Sequence, residues 1–474
     1  MTQELAAKSI GELSLLLRNK HLSPVELTDA VLANVEAYNG EINAYISVEA
    51  EKARTMATVA EQEIQSGNYR GALHGIPMAL KDILYFKDEK ATMGSKIHED
   101  FIAGFDATVV AKLKAAGTVF TGKLNMHEYA WGATTTNPHY GACRNPWDLK
   151  KIPGGSSGGS GAAVAANMTI ASLGTDTGGS IRIPAASCGI IGLKPTHGRI
   201  SKFGCFPLSW SLDHIGPMTK TVFDAALLLE MLAGYDPKDP TSLNRPTKNY
   251  SHELTEDVKG LVIGIEESYF FHNVDHRVNE AVRHALQQLE KLGARIEPVR
   301  IPSLAQAEFA ELVTITTEAS AIHHDNLVKQ PEKFGDDVRF LLEIGELMSG
   351  VDYVQAQQIR RKLDLDFAAA FEEVDVLVTP TLPFLAPEIG SSTVDINGQS
   401  LSFLDEVIRF TGPGNLTGLP ALSIPCGVHD GLPVGLQIIG PAFQEEKVLN
   451  LAFALEKLDL MQGKKPNLSH LTVN

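Results

Sequence analysis

The 474-residue sequence predicts one α/β domain, a large mixed central β-sheet covered by helices on both faces. Three observations carry this. Short apolar runs of strand length alternate with longer stretches of helical periodicity. The strand-like runs are apolar throughout, as in strands buried on both faces. No repeat, low-complexity tract or clear linker divides the chain. Residues 235–255 are the most linker-like, and their length suits a surface excursion. The expected organisation is a single domain over 1–474: N-terminal helices over about 1–70, a central core over about 71–220, and the rest of the sheet with a substrate-pocket wall over about 221–474.

The elements follow in order. Ile10, Leu13, Leu16 and Leu17 recur at helical spacing, so 8–18 is a helix. Ser23 and Pro24 read as N-cap and first turn of a second helix, running to about Tyr38. A third helix covers 47–66 and ends at Gly67-Asn68. GIPMALKDIL is a short strand-like run with a lysine set in it. Then come a helix over 107–116, a strand over 118–121 and a helix over 125–131. Residues 132–161 are rich in Gly, Thr, Asn, Pro and Ser and are mostly loop. An Ala-rich helix over 158–167 leads to a strand over 169–173. Further on, 261–265 is a strand and 275–292 a helix with Asp275 as N-cap. Buried strands are expected over 374–380, 421–425 and 435–440.

Composition bounds the function. Apolar residues make up 44% and charged residues 21%, which suits a soluble protein with a large core. The net charge of −16 argues against direct contact with a nucleic-acid backbone, which needs clustered Lys and Arg. Cys143, Cys188, Cys205 and Cys426 form no CxxC pair and read as free thiols. The polar N-terminus lacks the apolar core of a signal peptide, and no run reaches transmembrane length. A cytoplasmic protein with no membrane contact is expected. The fifteen histidines form no HExxH and no metal-type cluster. His74, His127, His139, His197 and His214 therefore read as hydrogen-bonded core or surface residues, with no metal expected.

The most unusual segments are IPGGSSGGSG (152–161) and GTDTGGSIRIP (174–184). A phosphate cradle fits the first loop poorly, since no Lys-Ser/Thr follows and the spacing is not GxGxxG. Gly154-x-Ser156-x-Gly158 and Gly155-x-Ser157-x-Gly159 both fit GxSxG literally. That motif needs a strand before it, and the lead-in NPWDLKKIP is polar and ends in proline.

The run GGSSGGSGAAVAA…LGTDTGGSIRIPAASCGIIGLKPTHGRIS closely resembles the central signature of the amidase signature family. The likeness extends upstream to LHGIPMALKDIL and downstream to RFTGPGNLTGLPALSIPCG and PVGLQIIGPAF, nearly the whole chain. It implies the amidase-signature fold and a Ser-Ser-Lys relay with no cofactor. The family's lysine falls on Lys81, its bridging serine, expected in a cis peptide, on Ser156, and its nucleophile on Ser180. A degenerate, non-catalytic relative would show damage at one of these positions, and none is damaged.

Chemistry gives each residue a task. A serine hydroxyl needs a base, and a lysine serves only if desolvation lowers its pKa. Ile76, Met78, Leu80, Ile83 and Leu84 around Lys81 offer an apolar wall. Ser156 would donate and accept at once. Thr177, Gly178, Gly179 and Ser180 would present backbone N–H groups to the oxyanion. Asp176 and Arg182 read as an ion pair holding this loop, and Ser157 as a hydrogen-bonding support for the relay.

The resemblance places the substrate pocket beside 128–132 and 134–137, including Ala130, with Trp131 read as an apolar contact surface or equally as core. Its far wall is expected in the C-terminal third. The family's glutaminase subunits of tRNA-dependent amidotransferases bind a free amino acid and need a cation and an anion. Arg360 aligns with the cation, but Ile408, Arg409 and Phe410 stand where the acid is expected, with Asp405 and Glu406 nearest. The expectation is thus a free-standing amidase taking a small-molecule amide, with a homodimer allowed and no direct contact with nucleic acid. The alternative is a glutaminase subunit.

Overall fold

The computed structural model describes residues 2–471. Eleven strands build one sheet: Tyr45–Val48 (β1), Pro77–Lys81 (β2), Val119–Leu124 (β3), Ser172–Asp176 (β4), Ile191–Lys194 (β5), His214–Thr219 (β6), Val262–Ile265 (β7), Arg295–Pro298 (β8), Val376–Pro380 (β9), Ala421–His429 (β10) and Leu432–Ile439 (β11). Their spatial order is β1-β3-β2-β4-β6-β5-β10-β11-β9-β7-β8. The sheet is mixed. β2 runs parallel to β3 and β4, and β7 parallel to β8 and β9. The other pairings, through the middle of the sheet and at β1, are antiparallel.

Strands β2, β3, β4, β9 and β11 are buried at every position, including their polar residues such as Lys81, Lys123, Asp176 and Gln437. One continuous apolar core runs from Ala6 to Leu455. The N-terminal helices start where the caps predict. Ser9 and Ser23 each accept from the first turn, and Glu12 and Glu26 reach back to close capping boxes. Asp275 caps His276–Lys291 by accepting from the Arg277 N–H. Residues 235–255 hold no helix or strand and are pinned to the core surface. The Ser201 hydroxyl donates to Asp236 (2.6 Å), and the Lys202 N–H to Asp239 (2.8 Å).

Three expected elements differ. The helix expected over 47–66 begins at Ala50, because Tyr45–Val48 pairs with β3 as the edge strand β1. The other two lie beside the site. Residues 125–131 form no α-helix. A 3₁₀ turn covers Glu128–Ala130, with Tyr129 and Ala130 in the left-handed region at φ 51° and 61°. The buried Glu128 carboxylate dictates this turn by accepting from Ser95 (2.6 Å), His139 (3.0 Å) and the Gly335 N–H (2.7 Å). The strand expected over 169–173 lies further along, at Ser172–Asp176. Its polar end stays in the sheet because an arginine neutralises Asp176. The helix Ala307–Lys329 packs against both Asp336–Leu347 and Gly350–Glu373, and the first two of these supply part of the site's far wall. Among the described residues no helix is long and apolar enough to cross a membrane.

Candidate active site

Lys81 closes β2 and is fully buried. Its ammonium donates to the hydroxyls of Ser156 (2.7 Å), Ser157 (3.0 Å) and Thr175 (2.7 Å). Burial is the main influence on the amine and pulls its pKa down to about 7, against weaker upward pulls from Cys205, Asp176 and Asp213. Near neutral pH this lysine can therefore exist without its charge.

Ser157 is fixed on both sides. Its hydroxyl donates to the Thr175 carbonyl (3.2 Å) and accepts from the Thr175 N–H (3.2 Å). Thr175 belongs to β4, so the sheet itself sets the lysine's second and third partners. Ser156 is wholly buried, its peptide bond to Gly155 is cis, and its carbonyl accepts from the His127 N–H (3.1 Å).

Ser180 sits on the loop after β4 and is 8% exposed, opening onto a cavity of about 340 Å³. Its hydroxyl forms no hydrogen bond with the described residues, and its carbonyl accepts from the Ser157 N–H (3.3 Å). Gly179, at φ 135°, turns the loop, and a Cβ there would lie 2.3 Å from Thr411 Oγ1. Thr411 donates to the Gly178 carbonyl (2.5 Å), which holds that peptide in place. Thr177 donates to Asp213 (2.6 Å). The N–H groups of Gly178, Gly179 and Ser180 form no hydrogen bond with the described residues.

Asp176 and Arg182 make the ion pair, both fully buried. Arg182 spends all its donors: on Asp176 (3.0 and 2.9 Å), Asn415 (2.6 Å), Gln437 (2.6 Å) and the Thr411 carbonyl (2.9 Å). Burial alone would raise the Asp176 carboxyl; Arg182, with Lys194 and Asn415, outweighs it and holds the pKa at about 2. The carboxylate also accepts from the Ile181 N–H (3.1 Å), so the pair ties the loop's two ends to the C-terminal strands.

The cavity brings Ala130, Trp131, Thr177, Gly178 and Ser180 together. Its far wall is apolar and comes from the C-terminal half: Leu312, Ile315, Leu341, Ile344, Leu404, Val407 and Ile408. Trp131 is buried against it, and its indole N–H has no hydrogen-bond partner among the described residues. Arg360 is not among the lining residues. It donates to the Leu416 carbonyl (3.1 Å), Ser211 (2.9 Å) and Gln357 (2.9 Å). Arg409 does line the cavity, but it donates to the carbonyls of His272 (3.1 Å) and Asn273 (3.0 Å) and lies 2.8 Å from Glu406. Sequence reasoning missed Thr175, Thr411, Asn415, Gln437 and Glu311. Thr411 and Asn415 sit inside the RFTGPGNLTGLP run, which flagged the stretch but not the contacts. Thr175 lies inside GTDTGGSIRIP and Gln437 inside PVGLQIIGPAF, flagged in the same way without their contacts, and nothing local marks Glu311.

A model of the amidase family matches residues 26–449. The chain belongs to the amidase family. As an amidase it is an amidohydrolase acting on C–N bonds. Among its relatives is the A-subunit of glutamyl-tRNA(Gln) amidotransferase from Geotalea daltonii, 42% identical over 479 residues, covering 96% of this chain and 98% of the relative. Two solved structures share the fold. One is described as a vestigial complex that reveals the evolutionary origins of an s-triazine catabolic enzyme; it is 33% identical, with TM-score 0.92 over 96% of this chain and 99% of that one. The other is the A-subunit of glutamyl-tRNA(Gln) amidotransferase from Thermotoga maritima, 36% identical, with TM-score 0.80 over 96% of this chain and 95% of that one.

The relatives' name corrects the expected partner set. It describes one subunit of an enzyme whose name carries a tRNA, which overturns the expectation of a chain with no tie to other subunits or nucleic acid. The net charge of −16 misled because it describes this chain's own surface. In an enzyme of several subunits the phosphate-binding surface can belong to another chain.

Proposed function

We propose that the chain breaks a carboxamide C–N bond through an acyl-enzyme on Ser180, with Ser156 as relay and Lys81 as base. The observation that carries this is Lys81: a fully buried amine, pulled to about 7, 2.7 Å from the Ser156 hydroxyl. Ser180 Oγ attacks the acyl carbon. Its proton passes to Ser156 Oγ, and the Ser156 proton passes to the neutral Lys81 amine. Unengaged N–H groups along Gly178, Gly179 and Ser180 suit the developing oxyanion. The C–N bond then breaks, and the nitrogen leaves with the relayed proton as ammonia or an amine. Water repeats the sequence on the ester, which frees the acid and restores Ser180. Ser157 and Thr175 act by positioning Lys81.

The relatives support glutamine as the amide, with the chain supplying ammonia as one subunit of a tRNA-dependent amidotransferase. This reading stands first because the likeness spans both chains almost end to end. One observation favours a second reading, an amidase acting on its own on less polar amides. Ile408 and an apolar wall stand where a free amino acid would need an acid, and Arg360 lies outside the cavity lining.

A panel of glutamine, aliphatic amides and aryl amides decides between them, run on the chain alone and with the partner subunits of a glutamyl-tRNA amidotransferase. Glutaminase activity only in the assembled enzyme supports the first reading, and hydrolysis of apolar amides by the chain alone supports the second. Full turnover by Ser180→Ala would overturn the chemistry common to both.

A further inference from the structure

Glu311 stands apart from every other ionisable group beside the cavity. It projects from the helix Ala307–Lys329, is 2% exposed, and neither carboxyl oxygen has a hydrogen-bond partner among the described residues. The carboxyl group lies between two glycines of the site. A Cβ on Gly178 would meet Oε1 at 2.9 Å, and one on Gly412 would meet the carboxyl carbon at 3.3 Å. Gly178 belongs to the Ser180 loop, so an ionisable group lines the cavity beside the nucleophile.

An unpartnered buried carboxyl is costly, and folded proteins keep few of them without a use. Burial is the main influence on Glu311 and pushes it well above the carboxylate range; Arg360 and Arg182 pull it down, while Asp176 and Glu318 push it up. Both arginines direct their hydrogen bonds elsewhere. The other charged lining residues are Glu308, Asp405 and Arg409, and Arg409 is committed to Glu406 and two carbonyls. The cavity therefore has apolar walls, an acidic balance and no cation free for Glu311.

We propose that Glu311 is the specificity-determining residue of this cavity and takes a protonated primary amine carried on the acyl part of the amide substrate. The inference rests on the reading of Ser180 as acyl acceptor, which makes this cavity the acyl site. An ammonium supplies both the charge and the donors that the carboxyl lacks. When the amine binds, the carboxyl pairs with it as carboxylate, and any proton it carries leaves to solvent.

The test uses ω-amino amides of increasing length, each against the isostere with methyl in place of ammonium. The wild-type chain, Glu311→Gln and Glu311→Leu are compared by the kcat/KM ratio within each pair. Binding of n-butylammonium against n-butanol to the Ser180→Ala chain is measured alongside by calorimetry in buffers of different ionisation enthalpy. The wild type should favour the amine by about ten-fold or more at one length at least, and both variants should bring that ratio near unity. Calorimetry should show amine preference with proton release. No preference in the wild type by either measurement, or a preference that survives both variants, overturns the inference. Absence of turnover of every amide by the wild type, with amine binding intact, would instead count against the acyl-enzyme reading.

Discussion

Lys81 shows what burial does to a single residue. Its three hydroxyl partners satisfy the amine without offering a counter-charge, so desolvation is left to set its pKa at about 7. The charged form fails as a base, so kcat/KM should rise with pH through about 7 and level off above it. A profile flat from about pH 6 to about pH 8 would remove Lys81 as base. Lys81→Met should cost roughly 10²–10⁴-fold in kcat. Its unfolding midpoint should not fall, because at neutral pH the folded state already disfavours the charged amine. At this scale the sequence was informative about identity and silent about surroundings. Ile76, Met78 and Leu80 announce an apolar wall, but Ser157 and Thr175 reach Lys81 from 76 and 94 residues away. Glu311 had no local signal at all: a glutamate on a helix ordinarily faces water.

The element that matters most is the loop between β4 and the helix Arg182–Cys188. It is clamped from outside by Thr411, Asn415 and Gln437, and inside by Asp176 and Arg182. Gly179→Ala should damage it twice over, by strain at φ 135° and by a contact of 2.3 Å with Thr411 Oγ1. A cost of ~1–3 kcal/mol in denaturant unfolding and a large drop in kcat are expected. Arg182→Met would strand a buried carboxylate at a cost of ~3–5 kcal/mol. The Asp176 carboxyl is lower in the folded chain than its ordinary 3.8, so its contribution is complete above that value and is lost as pH falls through about 2. Wild type and Asp176→Asn should thus converge in unfolding midpoint as pH falls from about 4 to about 2. Elements with caps were legible in advance, as His276–Lys291 shows, while β3 was placed but ended three residues early. The turn at Glu128–Ala130 was not, because distant donors to the Glu128 carboxylate fix its backbone. Nor was the start of β4, whose polar end depends on Arg182 and on Asn415, far along the chain.

Over the whole molecule, the proposed relay and the far wall of the cavity come from different stretches of chain. Lys81, Ser156, Ser157, Thr175 and Ser180 lie on β2, β4 and the loops that follow the central strands. Leu312, Ile315, Leu341, Leu404 and Ile408 belong to later helices and the segment before β10. The resemblance made the first group readable by its motifs. The second was legible only as a region, since its shape is set by how three helices pack. This division makes the gene modular at one defined place. Exchanging residues 300–412 for the same stretch of another amidase should transplant the choice of acyl group and leave the pH dependence set by Lys81 where it was. A chimera that folds but keeps the parent's substrate ranking would show that selectivity is written into the catalytic loops themselves. If the ranking moves with the graft, one inherited engine can be refitted for new amides by changing a single contiguous stretch of DNA.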